Sequence, residues 1–127
     1  MTDFIIVDDD SFNNVLCDLT IKEAFVEADV RAYEECEEAL AYLRNEIVRN
    51  RRMTILLLDI EMHGMNGWEF MEQIDQMETA VKNLLKICIV SVSLIPGDQE
   101  KAFLNPLIRG FLLKPIDASM IRLVKGL

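Results

Sequence analysis

Apolar side chains gather in five short runs, at residues 4–7, 30–33, 55–60, 84–92 and 111–113, each of a length that suits a strand. Between the runs the spacing becomes helical. Phe12, Val15, Leu16 and Leu19 follow Ser11, a good helix cap, and Ala39, Leu40, Leu43 and Ile47 form a second stripe. Phe70, Met71, Ile74 and Met77 make a third. Pro96 and Gly97 open a fourth helix that Asn105-Pro106 interrupts after about two turns, since proline has no amide hydrogen to give to the helix. A fifth starts at Asp117 and runs to the end of the chain.

Strands alternating with helices require a parallel sheet covered on both faces, and the unbroken apolar stretch 55–58 suits a strand buried on both sides. Right-handed crossovers fold this order into a doubly wound α/β sheet with five strands in the order 2-1-3-4-5. Ligands bind at the carboxyl ends of the strands in such a sheet, so the chemistry is expected there.

At 127 residues, 51% of them hydrophobic, the chain can bury one core, and a single domain over residues 1–127 without an output domain is expected. No apolar run approaches the ~18 residues of a membrane span, and Met1-Thr2-Asp3 lacks the basic flank of a secretory signal, so a cytoplasmic protein is expected. A formal net charge of -9 opposes phosphate contacts with nucleic acid and docking on anionic lipid. Cys17, Cys36 and Cys88 are odd in number and widely spaced, which fits reduced, partly buried thiols rather than a disulfide frame or a zinc site. Arg49, Arg51 and Arg52 form a dense basic cluster that reads as a solvated helix end before a strand.

Asp8 and Asp9 close the first run, Asp59 lies near the end of the third, Ser91 near the end of the fourth, and Lys114 just after the fifth. With the first, third and fourth strands as neighbours, these carboxylates face a hydroxyl and an ammonium at one sheet edge. Adjacent carboxylates repel unless a cation neutralises them, and an oxygen-only donor set favours a hard ion such as Mg2+. Asp9 is expected to bind it directly and Asp8 through water or as a second ligand. Asp59 itself and the backbone carbonyl of Glu61, just past it on the same loop, complete the expected set. A carboxylate attacks a phosphoryl group, forming an acyl phosphate, when charge on the transferring oxygens is neutralised and the geometry is in line. Asp59 is the expected nucleophile, with Lys114 and the Ser91 hydroxyl on other phosphoryl oxygens.

Four blocks carry a resemblance: Ile5-Ile6-Val7-Asp8-Asp9-Asp10, then Leu57-Leu58-Asp59-Ile60-Glu61-Met62 with Met65-Asn66-Gly67, then Ile89-Val90-Ser91, and Phe111-Leu112-Leu113-Lys114-Pro115. Together they resemble the receiver domain of two-component response regulators, in its stand-alone, chemotaxis-regulator-like form, across the whole chain. The resemblance implies a flavodoxin-like fold, Asp59 as phosphoacceptor, Asp8 and Asp9 as the acidic pair for Mg2+, and Ser91 and Lys114 as the hydroxyl and lysine of the site. It also implies that Phe111, the aromatic on the fifth strand, follows Ser91 inward on phosphorylation, and that Lys114-Pro115 is a cis peptide. The partners it implies are a histidine kinase or histidine phosphotransfer protein upstream and a downstream protein of unknown identity, with no nucleic acid and no membrane.

This chain departs from the family pattern at three positions. His63 stands where proline is usual, Asn66 where aspartate is common, and Val92 where a small residue helps set access to the site. A lone loop histidine reads as a solvated surface residue. The expected role is a signalling domain rather than an enzyme, its output leaving through the surface of the fourth helix, fifth strand and fifth helix. A docking module that signals without phosphorylation is the second reading, which the full set of site residues opposes. An aspartate-nucleophile phosphatase would normally carry aspartate where this chain has Glu61, and a flavin phosphate would need backbone donors or hydroxyls in place of the acids of the first loop.

Overall fold

The computed structural model describes residues 2–93 and 95–126. Along the chain run β1 (Asp3–Val7), α1 (Ser11–Ala24), β2 (Asp29–Tyr33), α2 (Cys36–Asn45), α3 (Ile47–Asn50), β3 (Thr54–Asp59), α4 (Gly67–Asp75), α5 (Thr79–Lys82), β4 (Leu85–Ser91), α6 (Asp98–Phe103), β5 (Ile108–Leu113) and α7 (Ala118–Gly126). The strands form one parallel sheet in the order β2-β1-β3-β4-β5, as the alternation of elements predicts.

Alternation along each central strand divides the core in two. Phe4, Ile6, Ile55, Leu57, Cys88 and Val90 point to the face covered by α1 and α7, where Cys17, Ile21, Ile121 and Val124 meet them. Ile5, Val7, Leu56, Leu58, Ile87 and Ile89 point to the opposite face, under Leu40, Leu43, Phe70, Ile74 and Ala102. Because both faces are covered, residues 4–7 of β1, 55–58 of β3 and 87–90 of β4 read as continuous apolar runs. Cys17 and Cys88 lie inside this core and Cys36 is half-buried, all three as free thiols. Burial pushes the Cys17 and Cys88 thiols up to about 12. Among the described residues no helix is long and apolar enough to cross a membrane.

Several helices differ from the sequence expectation. Asp10, not Ser11, caps α1, its carboxylate accepting from the Phe12 and Asn13 amides at 3.0 and 3.3 Å. The expected stripe of α1 faces outward, with Phe12 69% and Leu19 61% exposed, while Asn14, Cys17 and Ile21 face the sheet. Both sets repeat at helical spacing, and the Asn14 amide donating to the Asp8 carbonyl at 2.9 Å fits the inward one. Ile47 is buried but belongs to the separate turn α3, and Met77 is buried just beyond α4. Arg52 is more than a solvated helix end, since it pairs with Asp3 at 3.1 Å and approaches Asp29 at 3.9 Å. β5 begins at Ile108, earlier than expected, because Arg109 and Gly110 interrupt its apolar pattern.

The N-terminus of α4 is pressed against the strand end that carries Asp59. Asn66 and Glu69 form a reciprocal capping box there, and the Gly67 amide donates to the Ile60 carbonyl at 3.0 Å. A Cβ on Gly67 would stand 2.8 Å from the Ile60 Cα and 2.9 Å from the Asp59 carbonyl oxygen, both backbone atoms. Gly67→Ala is therefore expected to lower stability by about 1–3 kcal/mol through overpacking. Urea unfolding should show a lower midpoint at unchanged slope, and an unchanged midpoint would mean that this loop yields freely.

Candidate functional site

Strand register places the site residues. Val7 pairs with Leu58, so Asp8 and Asp59 follow side by side at the ends of β1 and β3. Asp59 pairs with Val90, which sets Ser91 one residue further on, and Ser91 pairs with Leu113. Lys114 comes next, and its amide donates to the Ser91 carbonyl at 2.8 Å. Lys114-Pro115 is cis, as the resemblance implies.

Side chains then converge. The Lys114 ammonium lies 2.7 Å from Asp8 Oδ2 and 3.7 Å from Asp59 Oδ2, with all three side chains largely withdrawn from solvent. Asp8 is gripped further by the Asp10 amide on Oδ1 at 2.9 Å and by Asn13 Nδ2 on Oδ2 at 2.7 Å. Asp59 Oδ1 accepts the Glu61 amide at 3.2 Å. Asp8, Asp9 and Asp59 each bring a carboxylate oxygen to within 4.8 Å of the others. Such an oxygen-only group, with more carboxylates than the one lysine neutralises, suits a hard divalent cation.

Burial pushes the Asp59 carboxyl up to about 6, and the neighbouring Asp8 charge adds to the rise while Lys114 opposes it. For Lys114, burial acts against the charged form. The Asp8 hydrogen bond and the Asp59 and Asp8 charges outweigh it, and its pKa rises. Asp9 is held below the usual carboxylate range, chiefly by the His63 amide, against a smaller effect of burial.

Ser91 is buried at the same edge, but its hydroxyl donates to the Ser93 carbonyl at 2.9 Å. Phe111 is half-buried on β5 opposite Ile89, packed against the core beneath α2–α6. Val92 is 62% exposed. His63 is fully exposed, as expected of a loop histidine, yet its amide and Nδ1 both sit on Asp9 Oδ2 at 2.8 Å. No local pattern in the chain signals that contact, nor the grip of Asn13 and Asn14 on Asp8.

The sequence profile of the response regulator receiver domain matches residues 4–124. Among solved structures, a response regulator receiver protein from Dyadobacter fermentans is 29% identical and superposes with a TM-score of 0.88, over 99% of this chain and 97% of that one. A two-component response regulator from Cytophaga hutchinsonii is 28% identical, with a TM-score of 0.89 over 99% and 95% of the two chains. A chemotaxis protein from Vibrio cholerae shares the fold at 20% identity, with a TM-score of 0.78 over 99% and 97%. A search of curated proteins found no match.

The raised Asp59 pKa has a thermodynamic consequence. An unfolded aspartate titrates near pH 4, so between about pH 4 and pH 6 the folded protein holds the additional proton. The stabilisation this carries is fully present below about pH 4 and is lost as the pH rises through about 6. Asp59→Asn, which cannot acquire the charge, is expected to exceed the parent in stability near pH 8, with the gap closing towards about pH 4. Urea midpoints of both proteins across that range test it, and a gap independent of pH would refute the role of Asp59 ionisation.

Proposed function

The chain belongs to the response regulator receiver domain family, and from that premise we propose that it is a phosphoryl-accepting switch in a two-component phosphorelay, with Asp59 as the acceptor. Receiver domains generally accept phosphate from histidine kinases or phosphotransfer proteins and bind a divalent metal at a cluster of acidic residues. The observation that carries the reading is the convergence of Asp8, Asp9 and Asp59 with the Lys114 ammonium at one sheet edge.

An Asp59 oxygen attacks phosphorus, the P–N bond to the partner's imidazole breaks, and the ring nitrogen leaves with the electron pair. Asp8, Asp9, Asp59 and the Glu61 carbonyl would hold Mg2+, which when bound offsets charge on the acceptor and the phosphoryl oxygens. Lys114 already reaches towards Asp59 and is placed to neutralise a second phosphoryl oxygen. The Ser91 hydroxyl exchanges its bond to the Ser93 carbonyl for one to the phosphoryl group, and Phe111 follows it inward along β5. The apolar outer face of α1 begins beside the acidic edge, where Asp10 caps the helix, which supports delivery of the phosphoryl group by a docked protein. At the other end of the chain, exposed Phe103, Leu104 and Leu123 support the α6, β5 and α7 surface as the one read by a downstream protein.

Incubation with acetyl phosphate and Mg2+ is expected to add one phosphoryl group by intact mass, and chelation or Asp59→Asn is expected to abolish the gain. Lys114→Ala should retain labelling but lose the change in amide exchange over β5 and α7 that phosphorylation produces in the parent. If labelling fails with both the small donor and phosphohistidine proteins, the chain is a docking module that works without phosphorylation.

A further inference from the structure

The three carboxylates are supported unequally. Asp8 is fixed by Lys114, Asn13 and the Asp10 amide, and Asp59 by Lys114 and the Glu61 amide, all close to the strand ends. Asp9 is the most exposed of the three and depends on a residue 54 positions away. The His63 amide and ring Nδ1 each approach Asp9 Oδ2 at 2.8 Å. A carboxylate only accepts, so Nδ1 carries a hydrogen in this contact. Both donors take the same oxygen, so the second oxygen of Asp9 is not spent on the loop.

We propose that His63 is a positioning residue for the divalent cation, a role that rests on reading the acidic group as the cation site. By clasping Asp9 from the loop that leaves β3, it sets the plane of that carboxylate. It also draws in the loop that carries the Glu61 carbonyl, two residues earlier. Ligands from β1 and from the β3 loop are thereby brought to one place before the ion arrives. Ordering that would otherwise accompany binding is already present in the folded chain. The need for a clasp is local: Gly64, the next residue, has φ 75, a conformation in which glycine leaves the backbone easy to turn. Because the imidazole is fully exposed, water competes for its hydrogen bond and the expected effect is modest.

Graded variants separate the two donors. His63→Ala removes the imidazole and keeps the amide, His63→Pro removes both, and His63→Asn restores a side-chain donor with similar reach to Nδ1. Calorimetric titration of the whole chain with Mg2+ alone is expected to show roughly threefold weaker binding for the Ala variant. Roughly tenfold weaker binding is expected for the Pro variant, with the Asn variant returning close to the parent. Matching thermal midpoints would show that these changes do not come from the fold. Equal affinity in parent, Ala and Pro proteins would overturn the positioning role while leaving the cation site standing, and tighter binding by the variants would show that His63 obstructs the site. Failure of the parent to bind Mg2+, with Asp9→Asn indistinguishable from it, would overturn the cation reading and this role together.

Discussion

The Lys114 ammonium, held 2.7 Å from Asp8 and 3.7 Å from Asp59, is the contact around which the charges of this sheet edge are arranged. Two carboxylates at adjacent strand ends, both nearly buried, cannot share that space as anions without a cation between them. The ion pair is not a large source of stability, since taking charges out of water offsets most of their attraction. Its importance is geometric. Lys114 can reach both acids only because β5 lies beside β4, β4 beside β3, and the β4–β5 register brings Lys114 level with the end of Ser91.

Even with this cation the charged form of Asp59 is disfavoured, chiefly because burial strips it of water and secondarily because the Asp8 charge lies beside it. Its carboxyl is pushed up to about 6. The two apolar layers on either side of the sheet hold the site together. Phe4, Leu57 and Ile121 on one face and Leu56, Phe70 and Ile74 on the other are all but inaccessible to water. Each layer is locked to strands that end in the site, so the acids cannot separate without opening the core. A proton or a cation bound at this edge would offset the charge that Asp8 and Asp59 bring together. In the phosphorelay reading proposed above, a change of charge at Asp59 would act on β4 and β5 through Lys114 and Ser91, which stand at their ends.

The fold is shared with receiver proteins that are 29% and 28% identical across almost the whole chain. Many different apolar side chains can fill the layers. The acids and the lysine are instead tied to one another by charge, and Gly67 by its close approach to the Ile60 and Asp59 main-chain atoms. His63 lies between these extremes: exposed, on a loop, yet linked to an acid that belongs to the site.

The five strands, their parallel order and the grouping of Asp8, Asp9, Asp59, Ser91 and Lys114 were legible in the sequence, because each strand end is marked by the change from an apolar run to a polar residue. Sequence alone did not tell which face of α1 turns inward, since Phe12, Val15, Leu16 and Leu19 repeat at the same helical spacing as Asn14, Cys17 and Ile21. Nor did it show that Ser91 rests on Ser93, that Arg52 reaches Asp3, or that His63 clasps Asp9. Periodicity is a local property, fixed by residues within a few positions of one another, and it determines elements and the order in which they can pack. Contacts across 54 residues, and the burial that shifts the Asp59 proton, exist only once distant segments share one volume, and tertiary structure alone decided them.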